Sequence, residues 1–328
     1  MAEANESGPS VINVWPEPFP EWTEAIEKWG WMWPAHIYGF GSLFAFLTLY
    51  AFSSLYRFRK AIFARQKVHL RVMCFTLMAA GFWRSLVLFW DPYTSSESTS
   101  ALQNLVVLTS WGISTACMTS AFSIMLLIFL ETTKTRLGSP KLRNVPVLVS
   151  ITLSNILYLT VSDLVVWFYP KAKVLIFICH VSFAIWGLAI SAGCFVAGFK
   201  MWRNLRSTPQ TQTSVDQCSL RDVKKLKRLF VFMSAASIFG GFIFSVSLYT
   251  SIGEFGVFSG ESYATSWPWF AMQTAMRMME LLLSTLIFLI TVDNPRNCNQ
   301  TLPSLPSRLT TVQNTFESAE YQMEALQN

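Results

Sequence analysis

Polar links divide the chain into seven apolar runs, at 35–56, 72–90, 105–130, 145–168, 174–199, 229–249 and 268–292, each 19 to 26 residues long. A helix rises 1.5 Å per residue, so about 20 residues cross the roughly 30 Å hydrocarbon core of a bilayer. The pattern predicts an all-α, polytopic membrane protein: a bundle of seven transmembrane helices over 34–292. Ahead of it, 1–33 reads as a short extracellular or lumenal segment. Its Trp22, Ile26, Trp29 and Trp33 recur at helical spacing with Glu21, Glu24, Glu27 and Lys28 between them. That predicts an amphipathic helix in the headgroup layer, which Trp favours, or an aromatic lid over a ligand pocket. The polar stretch 293–328 reads as a disordered cytoplasmic tail.

The last run carries the most information. It reads PWFAMQTAMRMMELLLSTLIFLITV and holds two full charges, Arg277 and Glu280. At about 100° per residue, Gln273, Arg277, Glu280, Ser284 and Thr291 fall within roughly 60° of one another. A charge near the bilayer centre costs a few kcal/mol, so this stripe must face other helices. It reads either as a site in the bundle interior or as an Arg–Glu pair one turn apart that locks packing. The other intramembrane charges are Arg84 and Asp163, about 9 Å and 8 Å from the same end of the second and fourth runs. Shared depth predicts that they pair, and that Arg84, Asp163, Arg277 and Glu280 form one neutral network, as burial favours. Gln273 and His180 are candidate ligand-facing residues beside it.

Charge distribution sets the expected orientation. The links 57–71, 131–144 and 200–228 hold six, four and eight basic residues, whereas 91–104, 169–173 and 250–267 hold none, two and none. Basic loops stay cytoplasmic, which places the N-terminus outside and the C-terminus inside. Asn5-Glu6-Ser7 is then a glycosylation sequon on the outer side. Lys224, Lys225, Lys227 and Arg228 lie where Ser219 to Asp222 resembles a capping box opening a helix into the sixth run. They read as inside-positive anchoring or as a contact for an acidic lipid or a cytoplasmic effector. In the tail, Pro303, Pro306 and Arg308 have the spacing of a polyproline ligand for an SH3 domain, and Cys298 is a palmitoylation candidate.

The chain is 52% hydrophobic and 13% charged, about half the charged fraction of soluble proteins. Its formal net charge of +6 sits in loops between apolar runs, which argues for a lipid bilayer and against a nucleic-acid partner. No enzyme is expected, because neither paired carboxylates nor a Ser/His/Asp set is placed for catalysis. His36 and His180 fall near the outer face and His69 on the other side, so no metal site is expected. No cofactor is implied, and the last run has no Lys for a Schiff base. Cys74, Cys117, Cys179 and Cys194 lie within runs, and no outer-loop Cys is present for the disulfide of most heptahelical receptors. The acidic-Arg-aromatic triplet and the Trp-x-Pro of rhodopsin-like receptors are absent. Small residues at four-residue spacing (Gly112, Ala116, Ser120; Ala189, Gly193, Ala197; Ser237, Gly241, Ser245) predict close helix crossings.

Three stretches carry a family resemblance: Trp29-Gly-Trp-Met-Trp-Pro-Ala-His-Ile-Tyr-Gly-Phe-Gly-Ser-Leu-Phe44, Arg84-Ser-Leu-Val-Leu-Phe-Trp-Asp91-Pro92-Tyr93 and Arg277-Met-Met-Glu280-Leu. Over about 22–295 the chain resembles the heptahelical region of the vertebrate proline-rich transmembrane proteins. It departs from them in having only a short segment where the family has a long Pro-rich one. The resemblance implies a fold and a membrane location, without a ligand or a reaction, and it marks Arg84, Asp91, Pro92, Arg277 and Glu280. Function is thereby left among three classes: an orphan receptor-like protein, a scaffold or trafficking protein working through cytoplasmic loops and tail, and a small-solute transporter.

Overall fold

The computed structural model describes residues 18–58, 65–95, 101–132, 145–207, 217–252, 258 and 263–292. Eight α-helices occur among the described residues: α1 (Trp22–Trp29), α2 (Met32–Phe58), α3 (Arg65–Trp90), α4 (Ala101–Thr132), α5 (Val145–Phe168), α6 (Lys173–Ser207), α7 (Gln217–Ile252) and α8 (Ser266–Val292). Seven of them, α2 to α8, are long and apolar enough to cross a membrane. Large apolar side chains face outward along them, among them Phe46 at 69% exposure and Ile238 at 63%. Soluble proteins rarely expose such a contiguous surface, so these faces meet lipid. The expected all-α seven-helix membrane bundle is the observed architecture.

Helix ends differ from the expected runs where polar residues continue the coil beyond the apolar stretch. α6 runs to Ser207, and α7 begins at Gln217, two residues before the expected cap at Ser219. Neighbours in sequence pack together: α2 on α3, α3 on α4, α4 on α5 and α6 on α7, with α4 also touching α6. α8 is held through its side chains, by His36 of α2, Arg84 of α3, Met118 of α4 and Tyr50 of α2. The chain divides into two compact units, Met1–Phe288 and Leu289–Asn328, and only the last turn of α8 is described in the second.

Gly81 and Gly187 are among four glycines, with Gly41 and Gly240, that set the closest approaches. A Cβ at Gly81 would stand 2.6 Å from Thr48 Oγ1 and 2.9 Å from the Phe44 carbonyl oxygen, so α2 and α3 cross nearly backbone to backbone. A Cβ at Gly187 would run into the Phe244 ring, which seats α6 against α7. At that second crossing the Ser237 hydroxyl donates to the Ser191 carbonyl at 2.6 Å. Gly241 meets nothing within 4 Å, so the sixth span packs through Gly240 and Ser237 instead.

α1 does not spread its tryptophans over the outer surface. Gly30, at φ 51°, ends the helix with its N–H bonded to the Ile26 carbonyl, and α2 starts two residues later. On either side of this turn Trp29 and Trp33 are both buried. Trp29 stacks on Trp269 of α8 at 5.8 Å between ring centroids, and Trp22 meets the same ring edge-on at 5.3 Å. The Ala264 N–H donates to the Phe19 carbonyl at 2.9 Å and ties the lead into α8 to the lead into α1. The start of α8 offers Trp29 an aromatic partner surface, and Trp33 packs against Trp29. Trp31, 78% exposed, is the tryptophan of this segment turned away from the protein.

Candidate functional site

Beneath this aromatic cap lies a cluster of buried charges. Arg84 of α3 and Arg277 and Glu280 of α8 are between 1% and 3% exposed. Glu280 accepts from both cations: its Oε1 takes Arg84 Nη2 at 2.7 Å and its Oε2 takes Arg277 Nη1. Arg277 and Glu280 stand one turn apart on α8, so one helix presents them together, and α3 brings in the second guanidinium. Trp111 of α4 completes the cluster: the Arg84 and Arg277 guanidinium carbons lie 4.0 Å and 4.3 Å from the centre of its ring. A π face near a desolvated cation contributes about 2 kcal/mol. Gln273 Oε1 accepts from Arg277 Nη2 at 3.3 Å, and Thr115 Oγ1 accepts from Arg84 Nη2 at 3.3 Å.

Asp163 is the correction. It is buried on α5, yet among the described residues it makes no ion pair with Arg84 or Arg277. The helix order explains this. α5 packs on α4 and α6, while α3 packs on α2 and α4, so α4 stands between Asp163 and Arg84. Equal depth is not adjacency in a bundle. Arg84 turns instead toward α8, and the cluster of Arg84, Arg277 and Glu280 carries a formal charge of +1 rather than zero.

Tyr93 joins the cap to the cluster and, like Trp111, is not singled out from the sequence. It follows Asp91 and Pro92 in a short 3-10 turn, with φ 59° and ψ 26°, and Thr94 has φ 56°. A left-handed conformation costs a residue other than Gly about 1–2 kcal/mol. Here it drives a fully buried Tyr ring into the bundle, 5.2 Å from Trp111 and 5.1 Å from Trp269. The Tyr93 hydroxyl is 3.0 Å from His36 Nε2 and lies against the Arg277 guanidinium. Burial pushes the phenol above its ordinary pKa, with Arg277 and Arg84 pulling the other way. The remaining His36 nitrogen, Nδ1, is 3.0 Å from Thr274 Oγ1 of α8. A left-handed turn has no side-chain periodicity to betray it, although the Asp-Pro-Tyr triplet is the available signal of a turn.

A cavity of about 120 Å³ opens beside the cluster among α4, α5, α6, α7 and α8. Arg277, Glu280 and Gln273 border it on one side and Asp163 and His180 on others, with Phe183 and Phe244 as apolar wall. Gln273 and His180, the candidate ligand-facing residues, both line it. The His180 Nδ1–H donates to the Ile176 carbonyl at 2.9 Å. Gly112 lies beside the acid: a Cβ there would be in ordinary contact with Asp163 Oδ2 at 3.5 Å. The Arg277 Nε hydrogen, and Nε and Nη1 of Arg84, have no acceptor among the described residues.

Other candidates fall apart from this site. Lys227 and Arg228 are exposed on α7, while nothing is described for the side chains of Lys224 and Lys225. Asn5, Cys298, Pro303, Pro306 and Arg308 lie outside the described residues. Cys74, Cys117, Cys179 and Cys194 are buried free thiols.

The sequence profile of the proline-rich transmembrane protein 3 domain matches residues 6–304. No curated protein and no solved structure matches the chain. The matched span takes in the aromatic cap, the charge cluster and all seven spanning helices, in agreement with the resemblance at Trp29, Arg84 and Arg277. The chain therefore belongs to the proline-rich transmembrane protein 3 domain family.

Proposed function

We propose that this integral membrane protein is a ligand-responsive receptor without catalytic chemistry, its N-terminus outside and its C-terminus cytoplasmic. One observation carries the reading: a cavity walled largely by apolar side chains sits inside the bundle, and Arg277, Glu280 and Asp163 border it. A structural clamp accounts for Glu280 holding two arginines. It does not account for a space kept open beside them, nor for the separate Asp163 carboxyl that borders that space. Intramembrane charges lining a cavity mark a functional site by default. The cavity also touches α7, which continues unbroken to Gln217 at the far end of the bundle. A change at the cavity can therefore reach the link 200–228, whose basic residues suit a cytoplasmic effector or an acidic lipid.

The test is recovery of bound molecules. Protein purified from cell membranes into lipid nanodiscs is denatured, and the released small molecules are identified by mass spectrometry. Ser247→Phe, which fills the cavity, serves as the comparison. A receptor yields a species held by the wild type and lost from the variant, and adding that species back changes hydrogen exchange across 200–228. Equal contents in both proteins, or binding with no exchange change in that link, defeats the receptor reading.

A further inference from the structure

Among the described residues, two groups on opposite walls of the cavity lack a partner, a surplus cation and a carboxyl. On the α8 side, Glu280 is shared between Arg84 and Arg277, which leaves one positive charge in surplus. The Arg277 Nε hydrogen has no acceptor among the described residues, and Arg277 lines the cavity while only 3% exposed. On the α5 side, Asp163 lines the same cavity and makes no ion pair among the described residues. Among the described residues no ion pair joins the two groups, and both border the open space. We propose that the cavity binds a small zwitterion of the α-amino-acid type, its carboxylate toward Arg277 and its ammonium toward Asp163.

Charge, size and lining agree. A zwitterion supplies each wall with the opposite charge and adds none overall, which a site inside a membrane favours. A simple carboxylate would leave Asp163 without a cation, and a simple amine would add to the surplus positive charge. At about 120 Å³ the space accepts roughly six to eight close-packed non-hydrogen atoms, the size of alanine or proline and far below that of a lipid. Phe183 and Phe244 give an apolar wall for a short side chain. A carboxylate is the natural acceptor for the Arg277 N–H left without one.

This assignment rests on the receptor reading and names its ligand class, and one experiment separates the two. Full-length protein in nanodiscs is incubated with radiolabelled alanine and, separately, proline, and binding is read by scintillation proximity. Competition uses the twenty unlabelled amino acids, propionate and ethylamine. Saturable binding is expected, displaced by small amino acids and by neither propionate nor ethylamine. Asp163→Asn should weaken it at least tenfold with an unchanged elution profile and circular dichroism, and Ser247→Phe should abolish it. Absence of saturable binding of any amino acid, or propionate competing as well as alanine, overturns the assignment on the wild type alone. So does undiminished binding by Asp163→Asn. Amino-acid binding that leaves exchange in 200–228 unchanged supports the assignment and defeats the receptor reading. A recovered ligand of another chemistry, lost from Ser247→Phe, defeats the assignment and leaves the receptor reading standing.

Discussion

A carboxylate shared by two guanidiniums is costlier to remove than either cation. Glu280→Gln leaves Arg84 and Arg277 buried together without a counter-charge, whereas Arg84→Gln leaves the Arg277–Glu280 pair of α8 intact. Breaking a buried pair costs about 3–5 kcal/mol in soluble proteins, and less where the unfolded reference stays in the membrane. Thermal denaturation in nanodiscs should therefore rank Glu280→Gln well below Arg84→Gln. Arg84→Gln with Glu280→Gln should lose less than the two added together. Arg84→Gln with Asp163→Asn should be additive to within about 0.5 kcal/mol, because those side chains do not meet. Coupling between Arg84 and Asp163, or equal losses at Arg84 and Glu280, would contradict the arrangement. Tyr93→Phe removes the hydroxyl that His36 and Arg277 share, and should cost about 1–3 kcal/mol by the same measurement. A Phe variant as stable as wild type would show that this hydroxyl holds nothing. Arg277 and Glu280 could be placed from sequence because both lie on one helix, whose periodicity fixes their mutual position. Arg84 and Asp163 could be placed only in depth. Which neighbour each faces depends on helix order and rotation, and apolar lipid-facing helices leave little periodic record of either.

At the scale of the helices, lengths were readable because the bilayer dictates them, and the seven spans follow the apolar runs closely. Their ends and crossings were not, because polar residues extend a coil as readily as they stop it. Four-residue spacing of small side chains also recurs on faces that touch nothing, as at Gly241. Space around each glycine discriminates between them. Gly81→Ala places a methyl against the Phe44 carbonyl, which cannot move without bending α2, and should cost about 1–3 kcal/mol. Gly39→Ala, on the same helix pair with open space around it, should be neutral or slightly stabilising, since Ala is the better helix former. Both are read as shifts in melting temperature, and a benign Gly81→Ala would mean that α2 and α3 stand further apart than described.

For the whole molecule, antiparallel neighbours put the α1 end and the basic links on opposite sides of the bilayer. An N-terminal epitope tag should be labelled on intact cells, or protected from protease inside microsomes if the protein stays in an internal membrane. A C-terminal tag should show the reverse in each assay, and a surface-labelled C-terminal tag would reverse the proposed orientation. The Arg84–Glu280 bond also has a consequence in time. Its partners are 196 residues apart in the chain. At about 5–20 residues per second, a ribosome needs roughly 10–40 s to reach the acid after making the base. Throughout that interval the third helix carries a lone cation with no mate yet synthesised. Until its last helix is made the nascent protein has only the Trp111 ring and the Thr115 hydroxyl of α4 to offer this cation, and a chain cut short before α8 keeps Arg84 without its counter-charge.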